Sequence, residues 1–138
     1  MTSISPETWE RLSSRLTLAT PATRAQLSAE ERALGLQLPQ EYREFLEKSN
    51  GAEGFVGKNS YASLWPVNEH KELNDAYDVG SYASGYLFFG SDGGGEAFAF
   101  DTTSSMSIVK MLFVGMSREI AVPQADTFWQ FLEVLYRS

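Results

Sequence analysis

A run of three glycines between two aromatic stretches, FFGSDGGGEAFAFD at residues 88–101, constrains the fold more than any other part of the sequence. Glycine permits the positive φ angles of a tight turn and lets a second backbone approach closely. The residues after it alternate as strand residues do. The stretch therefore predicts a β-hairpin, in which Phe88 and Phe89 end the first strand and Phe98 and Phe100 face the core from the second.

The same glycines do not match the common ligand-binding motifs. A P-loop requires Gly-Lys-Ser/Thr after its glycines, whereas Glu96 follows here and Asp92 precedes, and both would repel phosphate. A dinucleotide-binding loop would open a helix rather than a strand. Asp92, Glu96 and Asp101 offer oxygen atoms to calcium, but the spacing of an EF-hand is absent. We therefore predict neither a metal nor a cofactor at this turn.

Helical patterns surround a middle region rich in strand-forming residues. Helices are predicted from a Ser5 cap with Pro6 in the first turn, over 22–34 with a stop at Gly35, from Pro39 to Asn50-Gly51, over 68–77 with Asn68 as cap, and after an Asp126 cap with the apolar stripe Phe128, Phe131, Leu132 and Leu135. Strands are predicted in 54–67 and at 85–90, 96–101, 107–114 and 118–122. This order favours a single α+β domain over residues 1–138, with a mostly antiparallel sheet flanked by helices and with helices at both termini.

The negative charge of the chain is concentrated in one segment. The net charge is −7, and residues 69–101 hold seven acidic residues against Lys71 alone. Such a charge disfavours binding to the phosphates of a nucleic acid. The segment is either a solvated face that keeps the protein soluble or a surface that attracts a basic partner.

Aromatic residues lie in and beside this acidic segment, as they do in protein interfaces, although each ring taken singly could equally pack the sheet. The residues predicted to bind a partner are Glu69, Glu72, Asp75, Asp78, Asp92, Glu96, Trp65 and Tyr77.

No catalytic constellation is evident. His70 is the only histidine and cysteine is absent, so the usual zinc sites cannot form. No G-x-S-x-G motif marks a serine nucleophile, and no pair of carboxylates stands out for acid–base work. Because its neighbours are polar, we expect His70 to be exposed on a helix. The sequence predicts that the protein is not an enzyme.

The compartment follows from two further features. No apolar run approaches the roughly 18–20 residues that span a bilayer. The first residues also lack the basic start and apolar stretch of a signal peptide. We expect a cytoplasmic protein without a membrane partner.

Three stretches together resemble the SMI1/KNR4 (SUKH) superfamily. They are AEERALGLQLPQEYREFLEKSNG at 29–51, LFFGSDGGGEAFAFD at 87–101 and AVPQADTFWQFLEVL at 121–135. The resemblance covers about residues 20–136, so that residues 1–19 would add an extra N-terminal helix. The positions that carry the resemblance, and that it implies to be structural, include Glu31, Gly35, Leu38, Pro39, Gly51, Gly93, Gly94 and Gly95.

The resemblance implies an α+β fold without catalytic apparatus. Bacterial members are taken to be immunity proteins that bind and inhibit a toxin domain, often a nuclease, and fungal relatives are interaction modules in cell-wall signalling. We therefore expect an immunity protein whose acidic segment contacts a cognate toxin with a basic surface. A regulatory adaptor is the alternative. A third hypothesis is a small-ligand domain or enzyme with a pocket floored by the glycine hairpin.

Overall fold

The computed structural model describes residues 4–138, in which seven strands form one antiparallel sheet. Residues 1–3 of the predicted N-terminal segment 1–19 lie outside this range. The elements in chain order are α1 Pro6–Ser13, β1 Leu16–Leu18, α2 Arg24–Leu34, α3 Gln40–Leu46, β2 Ala52–Val56, β3 Ser60–Leu64, α4 His70–Ala76, α5 Val79–Tyr82, β4 Tyr86–Ser91, β5 Glu96–Asp101, β6 Ser107–Leu112, β7 Val122–Ala125 and α6 Phe128–Arg137. The strands follow one another in sequence order, which confirms the predicted α+β fold.

Short polar side chains set where the helices begin. The Ser5 hydroxyl accepts a hydrogen bond from Thr8 N at the start of α1, as predicted. Helix α6 is capped by Thr127 instead of the predicted Asp126, because the Thr127 hydroxyl accepts from Gln130 N. Asp126 is bound differently, since its own N–H donates to the Gln130 side chain. Helix α2 ends at Gly35 with a φ of 71°, as the sequence predicts.

Helices α1, α2, α3 and α6 cover one face of the sheet, which we call the inner face. Its centre is a cluster of rings, and the ring centroid of Tyr42 lies 5.0 Å from those of Phe100 and Phe128. The predicted stripe of α6 is buried here. The large side chains that share this fully buried layer are Leu12, Leu27, Tyr42, Phe45, Leu46, Phe89, Phe98, Phe100, Ile108, Phe128 and Phe131.

The opposite face, which we call the outer face, is covered only in part. Val79 of α5, Ala83 and Met116 pack over a smaller cluster contributed by β4, β5 and β6. Phe88 belongs to this cluster, whereas the adjacent Phe89 belongs to the inner one, so the β4–β5 hairpin is buried on both faces.

The sheet is weakly joined between β3 and β4. Register pairs there are limited to Ser63 with Ser91 and Leu64 with Gly90. Beyond them, the side chain of Asn74 on α4 takes the place of a neighbouring strand. It accepts from Phe88 N at 2.9 Å and donates to Phe88 O at 2.9 Å. Helix α4 is therefore fixed to the sheet by a side chain that satisfies a buried backbone.

Several elements differ from the prediction. Helix α3 ends at Leu46 and does not continue to Asn50-Gly51. Strand β1 was not predicted. The predicted strand 118–122 is a 3₁₀ helix, Arg118–Ile120, followed by β7, and its first residue, Arg118, forms an ion pair of 3.0 Å with Asp101. Asn68 does not cap α4, since it lies within a 3₁₀ turn over Val67–Glu69 and accepts from the Asn50 amide at 3.1 Å.

Candidate partner-binding surface

The glycine run is the turn of the β4–β5 hairpin, as predicted. Gly93 has a φ of 81°, and a Cβ there would lie 2.6 Å from a ring carbon of Tyr61. Asp92 closes the turn, because its Oδ1 accepts from Gly94 N at 2.8 Å and from Glu96 N at 3.2 Å. Gly95 differs from Gly93, since a Cβ there would meet nothing within 4 Å.

The signature residues of the first half hold local structure. Glu31 Oε2 accepts from Leu38 N at 2.8 Å. This bond joins the end of α2 to the backbone of Leu38, whose side chain is buried. Pro39 occupies the N-cap position of α3. Gly51 has a φ of 90°, and a Cβ there would lie 2.6 Å from the carbonyl oxygen of Leu64. A side chain at Gly51 would therefore collide with backbone.

Two of the candidate rings form a partly exposed row with Phe113, which we call the ring strip. Trp65 and Tyr77 are stacked with their centroids 6.1 Å apart and their planes 8° apart. Tyr77 lies 4.8 Å from Phe113. Phe113 in turn contacts Phe88 in the outer cluster at 5.8 Å. The strip is thus anchored in the core at one end, while Tyr77 is 43% exposed.

Helix α4, which leads into Tyr77, carries several of the candidate carboxylates. Glu69 occupies its N-cap position and Glu72 its first turn, where negative charge also favours the helix dipole. Within residues 4–138 neither carboxylate forms an ion pair, whereas Asp75 pairs with Lys71. Asp78 follows with a φ of 57° and begins the turn into α5. Glu72 follows Glu69 by three residues and shares its side of α4, whereas Tyr77, five residues after Glu72, lies on a different side of the helix.

The remaining acids of the segment lie elsewhere. Asp92 serves the hairpin turn, and Glu96 pairs with Lys110 at 3.7 Å. Asp101 is buried, and although burial opposes ionisation, hydrogen bonds from Arg118 and Thr103 hold the pKa of its carboxyl below the ordinary value. The acidic segment is therefore divided in two. Glu69, Glu72, Asp75 and Asp78 form what we call the α4 group, whereas Asp92, Glu96 and Asp101 have local structural roles.

His70 is not exposed, so that expectation was wrong. It is fully buried, and its Nδ1 lies 2.9 Å from the carbonyl oxygen of Pro66. Because a carbonyl only accepts, Nδ1 carries the proton, and Nε2 accepts from the Tyr42 hydroxyl at 2.6 Å. Burial lowers the pKa of His70 to about 4, although the bond to Pro66 opposes this shift. His70 is thus a neutral contact between α3 and α4.

Sequence reasoning missed both buried polar residues of α4. His70 and Asn74 are one helical turn apart, which is the spacing of a buried face. The signal was hidden because both residues are polar and a hydrophobic pattern does not detect them. The signal that could have identified them is a pair of polar residues at this spacing close to apolar Val67, which indicates a buried hydrogen-bond network.

The turn of the glycine hairpin lines an open groove rather than an enclosed pocket. A cavity of about 290 Å³ lies at the beginnings of α3 and α6 instead, with Phe100, Met106 and Phe128 among its lining residues. Across residues 4–138, no group of three or more His, Asp or Glu side chains is arranged to hold a metal ion. No helix in that range is both long and apolar enough to cross a bilayer.

These features define a small α+β protein with a seven-stranded antiparallel sheet, helices over one face and a partly covered second face. The family model of the SMI1 / KNR4 family (SUKH-1) matches residues 21–134, so the chain belongs to the SMI1/KNR4 family. A comparison with curated proteins found no match. Helix α1 and strand β1 precede the matched residues.

Proposed function

We propose that this protein is an immunity protein that binds a cognate toxin domain and neutralises it by direct contact. Membership of the SMI1/KNR4 family supports this class of function. The observation that carries the proposal is the partly exposed ring strip of Trp65, Tyr77 and Phe113, joined through Tyr77 to α4, whose N-terminal end carries the carboxylates of Glu69 and Glu72. Exposed rings within a charged rim are typical of the anchor residues of protein interfaces.

The charge of this surface suits a toxin that acts on nucleic acid. A nuclease carries basic residues around its substrate channel because it binds phosphates. An acidic inhibitor can cover such a channel and gains fast association from electrostatic steering. The α4 group supplies that negative charge. The rings supply an apolar contact, which salt does not screen.

Co-expression tests the proposal directly. The protein is produced together with the product of the gene immediately upstream, and survival of the host cells is scored. Rescue from an otherwise lethal neighbour supports the proposal. If the neighbour is harmless alone, or kills regardless of this protein, the proposal fails and the regulatory adaptor becomes the better hypothesis.

Charge reversal then tests which surface is used. Glu69→Lys and Glu72→Lys should each slow association with the toxin by about threefold or more at low salt, and the difference should shrink as salt rises. Glu10→Lys is the matched control, because Glu10 is exposed on α1, away from α4. Equal effects at all three positions would mean that only net charge matters and that the α4 surface is not the contact.

A further inference from the structure

The outer face is open beyond α4, at β2, β3 and the glycine turn. A groove there is lined by Glu53, Phe55, Tyr61, Ser63, Ser91, Asp92, Gly93 and Gly94. It is distinct from the ring strip, with which it shares no residue. We infer that this groove is a receptor for an arginine side chain on an extended, basic segment of a partner protein.

Two rings provide the surface against which a guanidinium can lie. Phe55 is 38% exposed, and Tyr61 meets it edge to face with the centroids 5.4 Å apart and the planes at 86°. The guanidinium of Arg15, which is not among the residues that line the groove, lies 5.3 Å from the centroid of Phe55. The electrons of an aromatic face attract cations, and arginine is the cation found there most often. The ring is thus already used for this chemistry from one side.

Two carboxylates complete the receptor, and both are held in place. Glu53 Oε2 accepts from the Tyr61 hydroxyl, and Asp92 Oδ1 accepts from the backbone of the turn. In the described part of the chain, the second oxygen of each carboxylate has no partner. Because these are the only charged residues among those that line the groove in residues 4–138, its charge is complementary to a cation.

The glycines of the turn also suit such an occupant. Gly93 needs to be glycine, but the fold places no such demand on Gly94 or Gly95. Neither has a positive φ, and a Cβ at Gly94 would be in ordinary contact, 3.4 Å from Asp92 Oδ1. Because Gly94 and Gly95 have no side chains, the main chain of an extended segment can approach the turn closely at the edge of the groove.

The inference rests on the proposed function only in supplying a basic partner, and it can be tested without the toxin. The full-length protein labelled with ¹⁵N is titrated with the blocked peptide Gly-Arg-Gly-Arg-Gly, and amide shifts are followed by NMR. The same peptide with citrulline in place of arginine is the matched control, because citrulline has a similar shape without the charge. We expect the shifts to concentrate at Phe55, Tyr61 and residues 92–95, and to vanish with citrulline.

Substitutions localise the effect. Phe55→Ser and Asp92→Asn should each weaken binding of the arginine peptide about two- to fivefold. The amide oxygen that Asp92→Asn introduces can still accept the bonds of the turn, so the fold is preserved and only the charge is lost. Glu10→Gln is the control and should leave binding unchanged, because Glu10 is exposed on α1 and does not line the groove.

Shifts confined to α4, no shifts at all, or equal binding of the citrulline peptide would each overturn the receptor. None of these results bears on whether the protein protects cells, which survival in co-expression decides. Conversely, failure to protect would leave the peptide result intact. The two proposals are therefore separable.

Discussion

The inner and outer faces of the sheet differ in how much of their aromatic surface is buried within the protein. On the inner face, rings such as Tyr42, Phe45 and Phe128 pack against one another and are fully buried. On the outer face, Phe55, Tyr77 and Tyr82 are 38%, 43% and 65% exposed. Burial explains the inner residues without reference to a partner. The outer rings have no such explanation, which makes the outer face the place to look for binding.

The strongest test of this difference removes one ring from each face. Phe128→Ala should lower the free energy of unfolding by about 3–5 kcal/mol, because it leaves a cavity among Tyr42, Phe45 and Phe89. Tyr77→Ala should cost less than about 1 kcal/mol. Urea denaturation measures both. Comparable losses would mean that Tyr77 belongs to the core and not to a binding surface.

The attachment of α4 to β4 should depend on the side-chain amide of Asn74. Asn74→Ala should lower the free energy of unfolding by about 2–3 kcal/mol, because it leaves the N–H and C=O of Phe88 unsatisfied. The amide proton of Phe88 should also lose protection from hydrogen exchange. Asp75→Ala, one residue further and exposed, is the control. Unchanged protection of Phe88 in the Asn74 variant would contradict this account.

The contact between α3 and α4 should be sensitive to pH. Burial lowers the pKa of His70 to about 4 in the folded protein, so between about pH 6.5 and 4 the unfolded chain binds a proton that the folded protein does not. Stability should therefore fall with decreasing pH, by about 1.5 kcal/mol from about pH 6.5 to 5. A His70→Gln variant should lack this component. Denaturation curves with the same pH dependence in both proteins would argue against a neutral buried His70.

The smallest expected effect compares two glycines of one turn. Gly95→Ala should raise the free energy of unfolding by about 0.4–1 kcal/mol, because the position accepts a Cβ and alanine restricts the unfolded chain. Gly93→Ala should destabilise instead, because of its positive φ and its closeness to Tyr61. Melting temperatures distinguish the two. A destabilising Gly95→Ala would show that the turn needs glycine at position 95 as well as at 93.

The parts of the fold that the sequence predicted are those set by local signals. The hairpin followed from glycine and from alternation around Phe98, and α6 followed from a stripe of four apolar residues. Gly35 has the positive φ expected of a helix stop, whereas the predicted stop at Asn50-Gly51 was wrong, because α3 ends at Leu46. Each of these signals depends on residues within a few positions of one another, which is why a single sequence is enough to detect them.

The parts that could not be predicted depend on residues far apart in the chain. The partner of His70 is Tyr42, 28 residues earlier, and Asn74 bonds to Phe88, 14 residues later. The candidate surface was predicted only in part for the same reason. Trp65 and Tyr77 do come together, but Asp92 closes the hairpin turn and Glu96 pairs with Lys110. Phe113 joins the rings from just beyond the end of β6.

The short pairing between β3 and β4 has a consequence for how such a protein can diversify. The intervening helix is held by buried anchors, notably His70 and Asn74, while Glu72, Asp75 and Ala76 point to solvent. Exchange of these outward positions leaves the strand register and the inner core untouched. Substitutions within one or two turns of α4 can therefore change which partner the surface fits, while the stability of the sheet and the inner core stays nearly the same.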